Sequence, residues 1–164
     1  MSESSALERI IGVGVVGLVT VNSLEGPLHS GEFGGAAPDA LAALIAMLAT
    51  LHDADGNTTI GLDNTGVWSG QPYPEDQFRA DARVLEGVDL IGDGTVADRL
   101  WQRFAATVIG INGPSVDKAS PAVQGTASAL INVRIPPGQD PSDAYKAVTD
   151  RLRTAAPWHV KVKF

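Results

Sequence analysis

The sequence contains no cysteine. Disulfide scaffolds, thiol nucleophiles, iron–sulfur clusters and cysteine zinc sites are excluded together. Aromatic residues make up only 5% of the chain and histidines number three. A metal site needs several imidazoles and carboxylates converging from rigid elements, and no spacing here supplies them. No cofactor is expected in this chain. Basic residues are also scarce: twelve against nineteen acidic ones leave a formal charge of −7, without the positive surface that a phosphate backbone rewards. Nucleic acid is not an expected partner. Long apolar runs are absent as well. The best candidate, Ile10 to Val19, is too short to span a bilayer, and no small-residue cleavage pattern follows its leader, which carries Glu3, Glu8 and Arg9. No membrane partner is expected, and the expected location is cytoplasmic. Acidic residues are scattered, so no carboxylate dyad for acid–base work can be named.

What is present fits one globular domain: 164 residues, 44% of them hydrophobic. Val13 to Leu24 is rich in β-branched residues and stops at Glu25-Gly26-Pro27, which makes it the first expected strand. A glycine-rich loop, Ser30 to Gly35, leads to Pro38 and Asp39, expected in the first turn of a helix over 38–52. Leu41, Leu44, Ile45, Leu48 and Leu51 are its core face, and Gly56 is its stop. The other face is apolar or small too (Ala42, Ala43, Ala46, Met47, Ala49), whereas a helix on a monomer's surface normally shows a polar stripe. The helix is expected to be covered on both sides.

From residue 57 to 104 the pattern weakens into an excursion, with short helical stretches near Glu75–Leu85 and Val96–Phe104. Regular signals return with a strand from Ala106 to Ile111 and an alternating strand from Ala127 to Ile135. Asp140 and Pro141 are the N-cap and first-turn residues of a second helix, with Tyr145, Val148 and Leu152 facing the core. A last strand turns Val160, Val162 and Phe164 inward. Strand, helix, strand, strand, helix, strand is the order of an α+β, ferredoxin-like two-layer sandwich, an antiparallel sheet with both helices on one face. The domain is expected over 10–164. Residues 1–9 form a polar leader whose natural origin stays open.

Few motifs stand out. Gly12, Gly14 and Gly17 match G-x-G-x-x-G, but strand continues through Leu18 to Val21 where a phosphate-binding loop would open a helix, so the match is coincidental. Asn57-Thr58-Thr59 is a sequon without a secretory setting. His52, at a helix end, and His159, on the outward face of an edge strand, are expected to be solvated. His29 lies between a strand and the glycine-rich loop, where an imidazole and backbone N–H groups come close to an incoming ligand. Arg134 lies on the non-core side of the most regular strand, and could either reach solvent or fork to a carboxylate across an open sheet face. Trp68 and Trp101 are expected to pack as a satellite core.

At Leu28-His29-Ser30-Gly31-Glu32-Phe33-Gly34-Gly35 the chain resembles the lid, or dimerisation, domain of the dizinc aminoacylase and carboxypeptidase family, which includes carnosinase-like dipeptidases and succinyl-diaminopimelate desuccinylase. The resemblance continues through Leu48 to Gly56 and Val133 to Pro141. It implies a domain inserted into a zinc-binding catalytic domain that this chain lacks, and a homodimer formed through helix 38–52 and a sheet edge. It further implies that His29 stabilises the oxyanion across the dimer, that Arg134 holds the substrate carboxylate, and that Ser120 stands where relatives carry a substrate-binding Asn or Thr. A different reading of the same residues is a free-standing ferredoxin-like homodimer that binds a small amino-acid-like ligand.

Overall fold

The computed structural model describes residues 13–164; the leader and Gly12 lie outside the described residues. In chain order the elements are β1 (Val13–Asn22), β2 (Leu28–His29), α1 (Ser30–Phe33), α2 (Ala40–Ala49), α3 (Glu75–Asp81), α4 (Val96–Trp101), β3 (Ala105–Asn112), β4 (Ala122–Val123), β5 (Thr126–Ile135), α5 (Pro141–Ala155) and β6 (Lys161–Lys163).

The alternation read in residues 127–135 is the pleat of β5: Ala127, Ala129, Ile131, Val133 and Ile135 are buried, and Ser128, Leu130, Asn132 and Arg134 are only partly covered. β5 occupies the interior of a four-stranded sheet of order β3-β5-β1-β6, whose pairings are all antiparallel. The first and last strands lie side by side, Thr20 opposite Lys163. Helices α2 and α5 both pack on β1 and β5, and Leu44, Met47, Leu51 and Leu152 are fully buried there with Val19 and Val21. This arrangement is consistent with the expected ferredoxin-like α+β sandwich.

Local chemistry explains the element ends. Asp39 caps α2 by accepting from Ala42 N at 2.7 Å, and Asp140 caps α5 by accepting from Ser142 N at 2.7 Å with Pro141 behind it. Several expectations are corrected. β1 ends at Asn22 rather than Leu24. The first long helix runs from Ala40 to Ala49, inside the 38–52 expected, and Asp39 is its cap rather than a first-turn residue. Gly56 lies beyond it, in a turn where its φ of 85° suits a residue without a side chain. Ala43 and Met47 belong to the core, whereas Ile45, expected inside, is 55% exposed. Two residues on α5 exchange roles similarly: Ala144 is buried, and Tyr145 is 41% exposed. At the end of the chain, Val160 precedes β6, and Phe164, expected inward, lies under the Arg153 guanidinium at 5.0 Å. The glycine-rich loop contains the short helix α1.

The excursion is less detached than its weak pattern implies, since Ile60 and Phe104 join the main core. Asn64 closes its base, accepting from Phe104 N at 2.7 Å and donating to Thr58 O at 3.1 Å. The satellite core is present: Trp68 and Trp101 have ring centroids 4.9 Å apart, and Tyr73 stacks on Trp101 at 6.0 Å.

Candidate functional site

His29 sits in the two-residue ribbon β2–β4, directly opposite Ala122. The next residue reinforces the pairing, Ser30 N donating to Pro121 O at 2.9 Å. The His29 imidazole then caps α1, its Nδ1 accepting from Gly31 N at 3.0 Å. An accepting Nδ1 carries no proton, so the neutral ring bears its proton on Nε2 and presents it as a donor. The residue is exposed. Glycine at position 31 leaves room for this ring position, since a Cβ there would come within 2.7 Å of the ring and push it aside.

Ser120 lies in the same place: it is exposed, and its carbonyl accepts from Ala122 N at 2.7 Å, two residues before the partner of His29. Asp39 holds this segment. Its second carboxylate oxygen accepts from Gln124 N at 2.8 Å, and Ala40 N donates to Gln124 O at 2.8 Å. One aspartate therefore caps α2 and clamps the strand that carries the His29 ribbon. A Pro-Asp pair signals the cap; nothing local signals a bond to residue 124.

Arg134 lies at the other end of β5, opposite Gly14 on β1 and Ala105 on β3. It neither reaches freely into solvent nor forks across an open face. The excursion covers it, and its Nη2 donates to Arg99 O, in the last turns of α4, at 2.8 Å. Burial pulls the guanidinium pKa below its usual value, though the group remains protonated at any physiological pH. No carboxylate forms an ion pair with it among the described residues. Beside it is a cavity of about 290 Å³ between the excursion and the start of β3.

His29 and Arg134 are therefore brought onto one rigid frame but not to one place. From Thr126, at the ribbon end of β5, to Arg134 there are eight residues of strand, about 26 Å at ~3.3 Å per residue. The course of α2 agrees. It begins at Gln124, beside the ribbon, and soon after its end His52 Nε2 pairs with Ala106 O at 2.8 Å, where Ala106 stands opposite Val133.

His52 is thus not a solvated helix-end residue: with Thr58, whose hydroxyl accepts from Ala106 N at 2.9 Å, it closes the outer edge of β3 at Ala106. His159 lies in a 3-10 turn rather than on a strand. β1 runs unbroken from Val13 past Gly14 and Gly17, as a coincidental glycine match requires. Asn57 of the sequon is committed to Asp53 and Asp93 through its amide. Asp98, which sequence reasoning did not single out, is buried and accepts from Trp68 N at 2.7 Å and Thr95 N at 2.8 Å. Those backbone donors hold its pKa below the usual carboxylate value. Among the described residues no three His, Asp or Glu side chains are placed to hold a metal ion, and no helix is long and apolar enough to cross a membrane.

One side of the molecule is apolar without cover. β3 is an edge strand with Ile109 and Ile111 52% and 55% exposed. On α2, Ile45 is accompanied by exposed Ala42, Ala46 and Ala49. The two elements adjoin: a methyl group on Gly113, just past β3, would touch Leu41 of α2 at 3.6 Å.

Comparison with known proteins agrees with this architecture. Over 146 residues, 87% of the chain, the sequence is 47% identical to a cysteinylglycine-S-conjugate dipeptidase of Corynebacterium striatum, of which it covers 32%. The chain thus spans about a third of that relative's length. Its fold matches human carnosine dipeptidase 1 with a TM-score of 0.72 at 20% identity, covering 92% of this chain and 35% of that one. It also matches the M20 family metallo-carboxypeptidase Sso-CP2 of Sulfolobus solfataricus, with a TM-score of 0.66 at 17% identity, over 93% and 43% of the two chains. Residues 17–160 match the model of the peptidase dimerisation domain. The chain belongs to that family, as a lid domain without the catalytic domain.

Proposed function

We propose that this lid belongs to a zinc-dependent dipeptidase or related amide hydrolase of the cytoplasm, and that two lids pair through α2 and the free edge of β3. In that dimer His29, with Ser120 beside it, serves the partner's active site, and Arg134 serves its own. The observation that carries the reading is the division of these residues between opposite ends of β5. An extended dipeptide is only about 7 Å long, well short of the roughly 26 Å of β5 that runs from the ribbon end to Arg134.

The chemistry at each end suits its task. With Nδ1 occupied by Gly31 N, the Nε2–H of His29 is a fixed donor for negative charge developing on the scissile carbonyl oxygen. The Ser120 hydroxyl adds a second polar contact there. Arg134 is a half-buried cation without a carboxylate partner among the described residues, and an incoming substrate carboxylate would supply one. Zinc would be held by the absent catalytic domain and would supply the activated water; the described residues offer it no ligand set. The proposed pairing surface is also coherent, because an uncapped edge strand and an uncovered apolar helix face lie together and a two-fold axis could cover both at once.

Steady-state kinetics of the full-length enzyme test the assignment. His29→Ala removes a donor used as charge develops and lowers kcat by roughly 10²–10³-fold with little change in KM. Arg134→Ala removes a contact already made in the ground state and raises KM. Equal effects of both variants on KM alone would refute the division of labour.

A further inference from the structure

We propose that Asp39 is a positioning residue for the reaction: it fixes the His29 ribbon to the first turn of α2, so that the helix placed at the dimer interface also aims the imidazole at the partner's site. The proposal rests on the oxyanion role given to His29 above. Asp39 acts through the strand that pairs with His29, not on the substrate.

Three observations lead there. First, the His29 imidazole is exposed, and its Nδ1 bond is to Gly31 N, two residues away. Its strand pairs Leu28 with Val123 and His29 with Ala122. A ribbon so short does not hold itself in place in water, so where it is fastened decides where the ring points. Second, the fastening to α2 runs through Gln124, two residues from the strand partner of His29. Both backbone polar groups of Gln124 are taken by the start of the helix: Gln124 N donates to Asp39 Oδ2 at 2.8 Å, and Ala40 N donates to Gln124 O at 2.8 Å. Ser23 N on Gly125 O, at 2.9 Å, ties the same segment to the end of β1; the Gln124 pair ties it to α2. Third, the residue type exceeds what a cap requires. Ser or Asn caps a helix about as well as Asp does, and at α5 Asp140 uses one oxygen, on Ser142 N. Asp39 uses both, Oδ1 accepting from Ala42 N at 2.7 Å while Oδ2 accepts from Gln124 N. An asparagine could keep the first bond, but its Nδ2 would turn N–H groups towards the Gln124 N–H. One substitution therefore separates the cap from the clamp. Because α2 also carries the exposed Ile45 and Ala46 of the proposed pairing surface, a single helix sets the distance from the two-fold axis to His29.

The test uses the full-length enzyme, assayed on whichever of Ala-Gly, Ala-Leu and Ala-Phe it turns over fastest, with Asp39→Asn, Asp39→Ser, His29→Ala and the double variant Asp39→Asn/His29→Ala. A misplacement of about 1 Å can cost roughly 10²-fold in rate, so Asp39→Asn should lower kcat at least ~10-fold with KM changed less than ~2-fold, the split expected of His29 itself. In the His29→Ala background no donor is left to aim, and Asp39→Asn should change kcat by less than ~2-fold. Sedimentation equilibrium should show the dimer intact, because the cap of α2 is kept. If Asp39→Asn fails to fold, Asp39→Ser, which caps with one hydroxyl and offers nothing to Gln124 N, decides by the same comparison. A kcat for Asp39→Asn within ~2-fold of the unaltered enzyme, with His29→Ala still impaired, would overturn the positioning role and leave the oxyanion reading standing. So would an equal loss in both backgrounds, or a loss that only follows dissociation of the dimer. His29→Ala without effect on kcat would overturn both.

Discussion

Mixing two impaired variants, assayed at substrate well below the KM of Arg134→Ala so that both are nearly silent alone, puts the sharpest demand on the proposed geometry. Take one dimer carrying His29→Ala and another carrying Arg134→Ala, and let their subunits exchange. If His29 reaches the partner's site and Arg134 stays in its own, one site of each heterodimer combines an intact Arg134 with an intact His29 from across the interface. The other site lacks both. Random exchange of equimolar subunits makes about half of all dimers mixed, each with one of two sites restored, so about a quarter of the unmutated activity returns. Against a His29→Ala background lowered roughly 10²–10³-fold, that is a gain of about 25–250-fold. The structural premise is the roughly 26 Å of β5 between the ribbon end and Arg134. Were both residues to serve the site of their own subunit, every mixed site would lack one of them and nothing would be regained. Activity is assayed as dipeptide turnover after exchange, with native mass spectrometry confirming heterodimers. No recovery despite demonstrated exchange would refute the reasoning.

Two further outcomes follow from other parts of the molecule. Ile45→Glu, at a position 55% exposed on α2, should alter the subunit's own stability by no more than about 0.5 kcal/mol yet raise the dimer dissociation constant at least ~10-fold by setting like charges near the two-fold axis; sedimentation equilibrium unchanged from the parent would exclude α2 from the interface. Asp98 has a native pKa held below the usual value by the backbone donors of Trp68 and Thr95, so its stabilisation is fully present above about pH 4 and fades as pH falls towards the native pKa. Acidification should therefore loosen the packing of Trp68 on Trp101, seen by tryptophan fluorescence, and Asp98→Asn should remove that part of the pH dependence; an identical acid transition in the variant would count against it.

The fold was legible where one physical signal dominated. In β5 the period of two is unbroken because one face is buried under helices along its whole length. Asp140-Pro141 announces α5 because both the cap and the fixed proline φ act within a single turn. The errors fall where tertiary neighbours decide between residues of similar character. On α2 both faces are apolar, so composition could not rank Ile45 against Met47; the seating of the helix on β1 and β5 put Met47 inside. On α5 an alanine is buried where a tyrosine was expected, and a methyl on Gly17 would already meet the Tyr145 ring at 3.5 Å.

The functional residues were legible one at a time, but not their distribution. His29 and Arg134 stand out by position and type, whereas the bonds that place them run between residues far apart in the chain. Asp39 reaches Gln124, His52 and Thr58 close the edge of β3 at Ala106, and Arg134 is held by the carbonyl of Arg99. The last of these depends on the excursion, whose sequence is poor in periodicity for a physical reason. It is organised by side chain to backbone bonds from Asn57, Asn64, Asp98, Arg99 and Arg103 rather than by a repeating apolar face, and such bonds leave no regular spacing to detect. A segment built in this way can cover the end of a sheet without adding a strand or a long helix, which is why Arg134 was expected to face open space and is found beneath a roof.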